Sequence, residues 1–96
     1  MNYKEELGRA TWKFLHTFAR GFDRIDPTTR TRLKKFVHLV KDLYPCEVCR
    51  VNLRQHLRQE DLNYTNGRNF RLSLCKLHNK VNAMLKKPIF DCRKIN

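Results

Sequence analysis

Apolar residues recur at three- and four-residue steps through most of the chain, the pattern of helices that each bury one face. From Leu7 to Phe22 this period predicts a first helix with two distinct sides. Gly8, Trp12, Leu15, His16 and Ala19 fall on one side, and Leu7, Phe14, Phe18 and Phe22 on the other. The phenylalanine side is expected to be core. The other joins the only tryptophan to a histidine and two small residues, a surface that lets a flat group come close. A turn follows from Asp23 to Pro27, with Asp26 and Thr28 as candidate caps around a proline suited to a first helical turn. Leu33, Phe36, Val37, Val40, Leu43 and Tyr44 then make the stripe of a second helix. Pro45 closes it, because the residue before a proline is pushed out of helical geometry.

A third helix is expected from Cys46 onward, carried by Val51, Leu53 and Leu57. Glu60 to Asn69 is polar, contains the turn signal Asn66-Gly67, and reads as the longest loop. The fourth helix is expected from about Phe70 to Lys86, with Pro88 as its stop. At about 100° per residue it sorts into three sectors. Phe70, Leu74, Leu77, Val81, Met84 and Leu85 are apolar, and Lys76, Lys80 and Lys87 are basic. Cys75, His78, Asn79, Asn82 and Lys86 share the third. Asparagine is a poor helix former, so two of them on one face suit a polar ligand lying along the helix better than a solvent face. Nothing repeats and no second domain is expected; residues 1–96 read as one unit.

A chain of 96 residues buries only about 60–65% of its unfolded surface, so it is expected to lean on a staple, a cofactor or a partner. Cysteine offers the staple. Cys46-Glu47-Val48-Cys49 follows Pro45 at a helix start, where unpaired N–H groups favour a thiolate. Such a pair suits either disulfide exchange or metal binding. With Cys75 and Cys92 there are four cysteines, which permit three pairings or a zinc set. The zinc reading takes Cys46, Cys49, Cys75 and His78 as ligands and assigns the positive charge to nucleic acid. It leaves Trp12, His16, Asn79, Asn82 and Cys92 unused. A thioredoxin-like dithiol enzyme is excluded by the lack of a βαβ pattern.

The net charge of +12, from 21 Lys and Arg against 9 Asp and Glu, is scattered over three segments without the motif of a nucleic-acid module. A solvated basic surface, or one that steers an acidic partner, is the expectation, with no nucleic acid bound. No run approaches the roughly 18 apolar residues of a membrane span, and the charged stretch Met1 to Glu6 does not read as a signal peptide.

Four blocks, in order, carry a resemblance: Gly8-Arg9-Ala10-Thr11-Trp12 with His16 and Ala19; Tyr44-Pro45-Cys46-Glu47-Val48-Cys49; Cys75-Lys76-Leu77-His78-Asn79-Lys80-Val81-Asn82; and Lys87-Pro88-Ile89-Phe90-Asp91-Cys92. Together they resemble the Erv/ALR family of FAD-linked sulfhydryl oxidases across nearly the whole chain. The resemblance implies an all-α fold, a four-helix bundle with a short fifth C-terminal helical turn, usually a homodimer, with FAD at the mouth of the bundle. It implies cofactor contacts from Gly8, Arg9, Trp12, His16, Tyr44, Cys75, His78, Asn79, Val81, Asn82, Lys86, Lys87 and Phe90. The Trp12, His16 and His78 rings would face the adenine end, the Asn79 and Asn82 amides would bond the cofactor, and Arg9 with Lys86 or Lys87 would neutralise the pyrophosphate. Lys87 matches the family block better.

By the same resemblance Cys46 is the sulfur that a substrate thiolate attacks, and Cys49 is the flavin-proximal one. Oxygen or cytochrome c receives the electrons, and Cys75 pairs with Cys92 as a structural disulfide. Two departures stand out: there is no second Cys-X-X-Cys, and no tryptophan follows Cys92. Substrate thiols, on a protein or a separate carrier, are therefore expected to meet Cys46 directly. An oxidase of this kind belongs where disulfides persist: the mitochondrial intermembrane space is favoured, ahead of the secretory pathway or a viral assembly setting.

Overall fold

The computed structural model describes residues 3–95 and holds four α-helices, α1 (Tyr3–Ala19), α2 (Pro27–Leu43), α3 (Glu47–Gln59) and α4 (Gly67–Met84), followed by a 3-10 turn (Cys92–Lys94). After α1, each begins where a short polar or sulfur-bearing side chain satisfies an orphan backbone N–H. Among the described residues there is no strand. Asp26 accepts from Thr29 N at 2.7 Å with Pro27 in the first turn, as expected from the sequence. Asn66 departs from expectation. Its Oδ1 accepts from Asn69 N at 2.8 Å and starts α4 three residues earlier than the turn reading allowed. The local geometry that lets asparagine close a turn is also what lets it cap a helix.

α1 packs on α4 and α2 on α3, and the 3-10 turn lies on α4. The core they enclose includes Ala19, Leu33, Leu57, Phe70, Leu74 and Leu77. Four expectations are corrected here. Phe14, assigned to the core, is 56% exposed, while Ala19 from the opposite side is buried. Met84 and Leu85, counted in the apolar sector of α4, are also exposed, because the end of that helix extends beyond the core. The polar loop hides Leu62 and Tyr64, whose apolar bodies enter the core while the Tyr64 hydroxyl donates to Asp61 at 2.9 Å. Phe22 lies past the end of α1 rather than within it, yet its ring still meets Phe70 edge-on at 6.2 Å. Helical periodicity there described a turn that happens to face inward.

Candidate active site

Tyr44, Pro45 and Cys46 make the corner between α2 and α3. Cys46 is the N-cap of α3 and its Sγ accepts from Cys49 N at 3.3 Å, so the sulfur sits at the positive end of the helix. Cys46 and Cys49 are joined as a disulfide, with Cα atoms 5.2 Å apart. Cys46 is only 6% exposed, and Cys49 is the more open of the two. Arg50 donates back to Tyr44 O, fixing the corner. The Tyr44 ring reaches α1: Thr11 donates to Leu7 O at 2.7 Å, so the Tyr44 hydroxyl supplies the proton for its 3.0 Å bond to Thr11 Oγ1. Thr11 entered the sequence reading only as part of the block that ends at Trp12, with no role of its own.

The first face of α1 and the third sector of α4 meet directly. Trp12 stacks on His78 with centroids 4.1 Å apart and planes 6° from parallel, and His16 Nε2 lies 2.9 Å from His78 Nδ1. Flat rings from two helices thus gather at one place, and the two faces do not stand apart as separate walls. They close into one aromatic platform, because α1 and α4 pack against each other at that point. Gly8 leaves open space where a Cβ would stand, and Arg9 is exposed. Val81 and Asn82 are half-buried beyond His78.

Asn79 has a different job from the one expected. Its Nδ2 donates to Phe90 O at 2.7 Å and its Oδ1 accepts from Phe90 N at 3.0 Å, so the amide pins the C-terminal segment to α4. The Cys75–Cys92 disulfide anchors the same segment, with Cα atoms 5.9 Å apart. In the chain-entropy model a loop of this size contributes roughly 3 kcal/mol. Between these anchors α4 ends in a paired cap: Lys86 N donates to Ala83 O and Lys87 N to Asn82 O. Lys86 takes the left-handed conformation (φ 58) that glycine usually fills there. The cap separates the two lysines. Lys87, not Lys86, acts on His78.

Burial, the neighbouring His16 and Lys87 together push His78 down from 6.5 to about 4, and burial also lowers His16. Both rings are therefore neutral at pH 7, one donating to the other. The sign for stability follows. As pH falls from 6.5 toward 4 the unfolded chain takes up a proton that folded His78 refuses, so stability is lost on acidification. We expect a lower melting temperature at pH 5 than at pH 7, and a smaller difference in His78→Gln. Melts at the two pH values check this, and an unchanged pH dependence in the variant would refute it.

Both cysteine pairs are closed as disulfides, so the thiolates of a Cys46, Cys49, Cys75 and His78 zinc set are committed elsewhere, and His78 is committed to Trp12 and His16. The platform suits a flavin dinucleotide better. Beside it lies a cavity of about 450 Å³ bordered by His16, His78, Phe90 and three cations, Arg20, Arg71 and Lys94, with no carboxylate in its lining. One polar atom there lacks a partner: Arg71 Nε is buried and unbonded. Arg20 and Arg71 were missed in the sequence. The signal was present, since each continues a singled-out stripe by four residues, from His16 and from Cys75.

Comparison with known proteins bears on the same residues. The model of the Erv1 / Alr family matches residues 9–96. The chain belongs to that family. It is 38% identical over 95 residues to the FAD-linked sulfhydryl oxidase ERV1 of Oryza sativa subsp. japonica, covering 97% of this chain and 48% of that one. It is 37% identical over 93 residues to the FAD-linked sulfhydryl oxidase ERV2 of Saccharomyces cerevisiae, covering 96% and 47%. The chain thus spans about half the length of the curated relatives it matches. Among solved structures, the FAD binding domain of Erv1 from Saccharomyces cerevisiae superposes with a TM-score of 0.89 at 30% identity, covering 93% of this chain and 86% of that one. The all-helical fold of this Erv1/Alr chain is that of its solved relatives.

Proposed function

We propose that the chain is an FAD-linked sulfhydryl oxidase that converts dithiols to disulfides. The observation that carries this reading is the closed Cys46–Cys49 pair at the start of α3, tied through Tyr44 and Thr11 to the helix bearing Trp12 and His16. Bound FAD would accept two electrons from the dithiol and pass them to oxygen or cytochrome c. Trp12, His16, His78 and Lys87 would hold it, with Gly8 leaving room for its approach.

The protein's own part can be written in balanced steps. A substrate thiolate attacks Cys46 Sγ, the Cys46–Cys49 bond breaks, and Cys49 departs as thiolate. The substrate's second thiolate then attacks its own sulfur in the mixed disulfide and expels Cys46. The α3 N-terminus and the Cys49 N–H stabilise that leaving thiolate, which makes Cys46 the better sulfur to carry the substrate. Two electrons and two protons have left the substrate. Because Cys46 is recessed, small dithiols and cysteines on mobile segments fit better than cysteines on rigid surfaces. Cys75 and Cys92 are committed to each other, so exchange within these residues falls to Cys46 and Cys49.

An exposed apolar stripe supports a homodimer. Phe14, Leu39 and Leu43 (74% exposed) flank Phe36, whose ring already meets Phe18 at a tilt, and pairing two copies would cover them. Two relatives are named mitochondrial, which supports the intermembrane space as the setting. Among the described residues no helix is long and apolar enough to cross a membrane. The purified protein is expected to be yellow, to release FAD on denaturation, and to take up two reducing equivalents at each of two centres per chain in an anaerobic dithiol titration. Colourless protein carrying about one zinc would overturn the reading.

A further inference from the structure

One cation is bonded into the corner that holds the dithiol. Arg50 stands one residue after Cys49 and one helical turn after Cys46, and its backbone N–H donates to Cys46 O at 2.9 Å. Its side chain turns back toward the head of α3, where Nη1 donates to Tyr44 O. The same oxygen accepts from Cys46 N at 2.8 Å. A single carbonyl therefore ties the guanidinium to the backbone of Cys46, two hydrogen bonds apart. Arg50 is half-buried, and among the described residues no carboxylate pairs with it. The other charged groups at this corner are engaged or exposed. Lys41, in the last turn of α2, lies 3.4 Å from Asp42 and 3.0 Å from the His38 ring, and Glu47, in the first turn of α3, is exposed. From α1 the corner meets only the neutral hydroxyl of Thr11. A cation held this way, with no carboxylate to neutralise it, favours the thiolate form of a neighbouring sulfur.

We propose that Arg50 is a positioning residue that sets the oxidising power of the Cys46–Cys49 pair, its fixed charge stabilising the Cys46 thiolate formed when the disulfide is reduced. The inference rests on the oxidase reading above. In the exchange, the first substrate thiolate bonds to Cys46 Sγ, and the electron pair of the broken Cys46–Cys49 bond goes to Cys49. The second substrate thiolate then closes the product disulfide, and the electron pair of the mixed disulfide goes to Cys46. Of the two protons lost by the substrate, one ends on Cys49 and the other in solvent, because Cys46 stays a thiolate. Stabilising that thiolate stabilises the reduced pair, and a disulfide whose reduced form is stabilised is the stronger oxidant. Arg50 thereby draws electrons from substrate into the dithiol through Cys46, with no contact of its own to substrate or cofactor.

The test separates charge from hydrogen bonding. Arg50→Gln keeps a donor for Tyr44 O and loses the charge, whereas Arg50→Lys keeps the charge and loses the fork. Both retain a donor at the corner, so neither is expected to unfold it. The full chain, wild type and variants, is equilibrated without oxygen in buffers of reduced and oxidised glutathione, or of dithiothreitol where glutathione leaves the pair closed. Alkylation and mass spectrometry then read the state of Cys46 and Cys49. In Arg50→Gln the equilibrium constant for reducing the pair should fall roughly tenfold, the effect of one partly screened charge at close range. In Arg50→Lys it should stay within about threefold of the wild type. A second readout follows alkylation of Cys46 against pH in Cys49→Ser. Adding Arg50→Gln should move that titration to higher pH, and adding Arg50→Lys should leave it in place. Arg50→Gln that matches the wild type in both readouts would overturn this inference and leave the oxidase reading standing. Arg50→Lys shifted as far as Arg50→Gln would also overturn it, since bonding geometry rather than charge would then be responsible. A wild-type Cys46–Cys49 pair that neither buffer reduces would overturn the oxidase reading itself.

Discussion

Cys49→Ser and Cys46→Ser should each abolish the proposed thiol oxidation, by roughly 10³-fold or more, yet leave different species behind. The disulfide is the only closed dithiol at the start of α3, so losing either sulfur stops exchange. The difference lies in what remains. In Cys49→Ser, Cys46 keeps its place at the N-terminus of α3 as a stabilised thiolate, and a substrate disulfide added to this variant should be trapped on Cys46 as a mixed disulfide. In Cys46→Ser, the proposed roles leave the Cys49 thiolate as the one next to bound flavin, which should give a long-wavelength thiolate-to-flavin charge-transfer absorption that Cys49→Ser lacks. Mass spectrometry locates the trapped partner, and absorption spectra separate the variants. Identical spectra, or a partner attached through Cys75 or Cys92, would show that the sulfurs have been assigned to the wrong roles.

Gly67→Ala should be the most damaging conservative change outside the cysteines. Gly67 opens α4 against the turn that follows α1, where its N–H donates to Asp23 O at 2.9 Å. A Cβ at this position would run into the carbonyl of Phe22 and come within 3.0 Å of Asp23 Cα. Both obstacles are backbone, so no side chain can swing aside. Relieving the overlap means moving α4 away from the corner, at a cost of roughly 3 kcal/mol. For a domain of this size that lowers the melting temperature by about 12–24 °C. The Phe22 carbonyl also holds Arg71, so flavin retention should fall together with stability. Gly8→Ala is the counterpart. Its Cβ meets nothing within 4 Å and helix propensity favours alanine by about 1 kcal/mol, so that variant should melt slightly higher. If cofactor approaches the α1 backbone there, the same variant should nonetheless hold flavin less well. Thermal melts and flavin release measured on both variants check the pair. A Gly67→Ala protein as stable as the wild type would mean that the corner is far softer than its packing implies.

The sequence determined the features that depend on neighbours along the chain. A 3.6-residue period, an Asp-Pro start and a proline after Tyr44 were sufficient for four helices and for the position of the dithiol at the head of α3, since caps and breakers act within one turn. The same arithmetic grouped Trp12 with His16, and Cys75 with His78 and Asn82. It could not say what each face meets. Periodicity gives the angle of a residue around its own helix axis, but not the rotation or spacing of the helix packed against it. Phe14 and Ala19 were therefore assigned to the wrong sides of the core boundary, and the Trp12–His78 stack, formed between residues 66 positions apart, was invisible. Asn79 looked like a ligand-binding amide until the returning chain placed Phe90 against it. Arg20 and Arg71 looked like two more charges on a basic surface. Only the packing of α1 on α4 brought them to one cavity, because convergence of distant side chains is a property of how helices pack, and no local pattern encodes it.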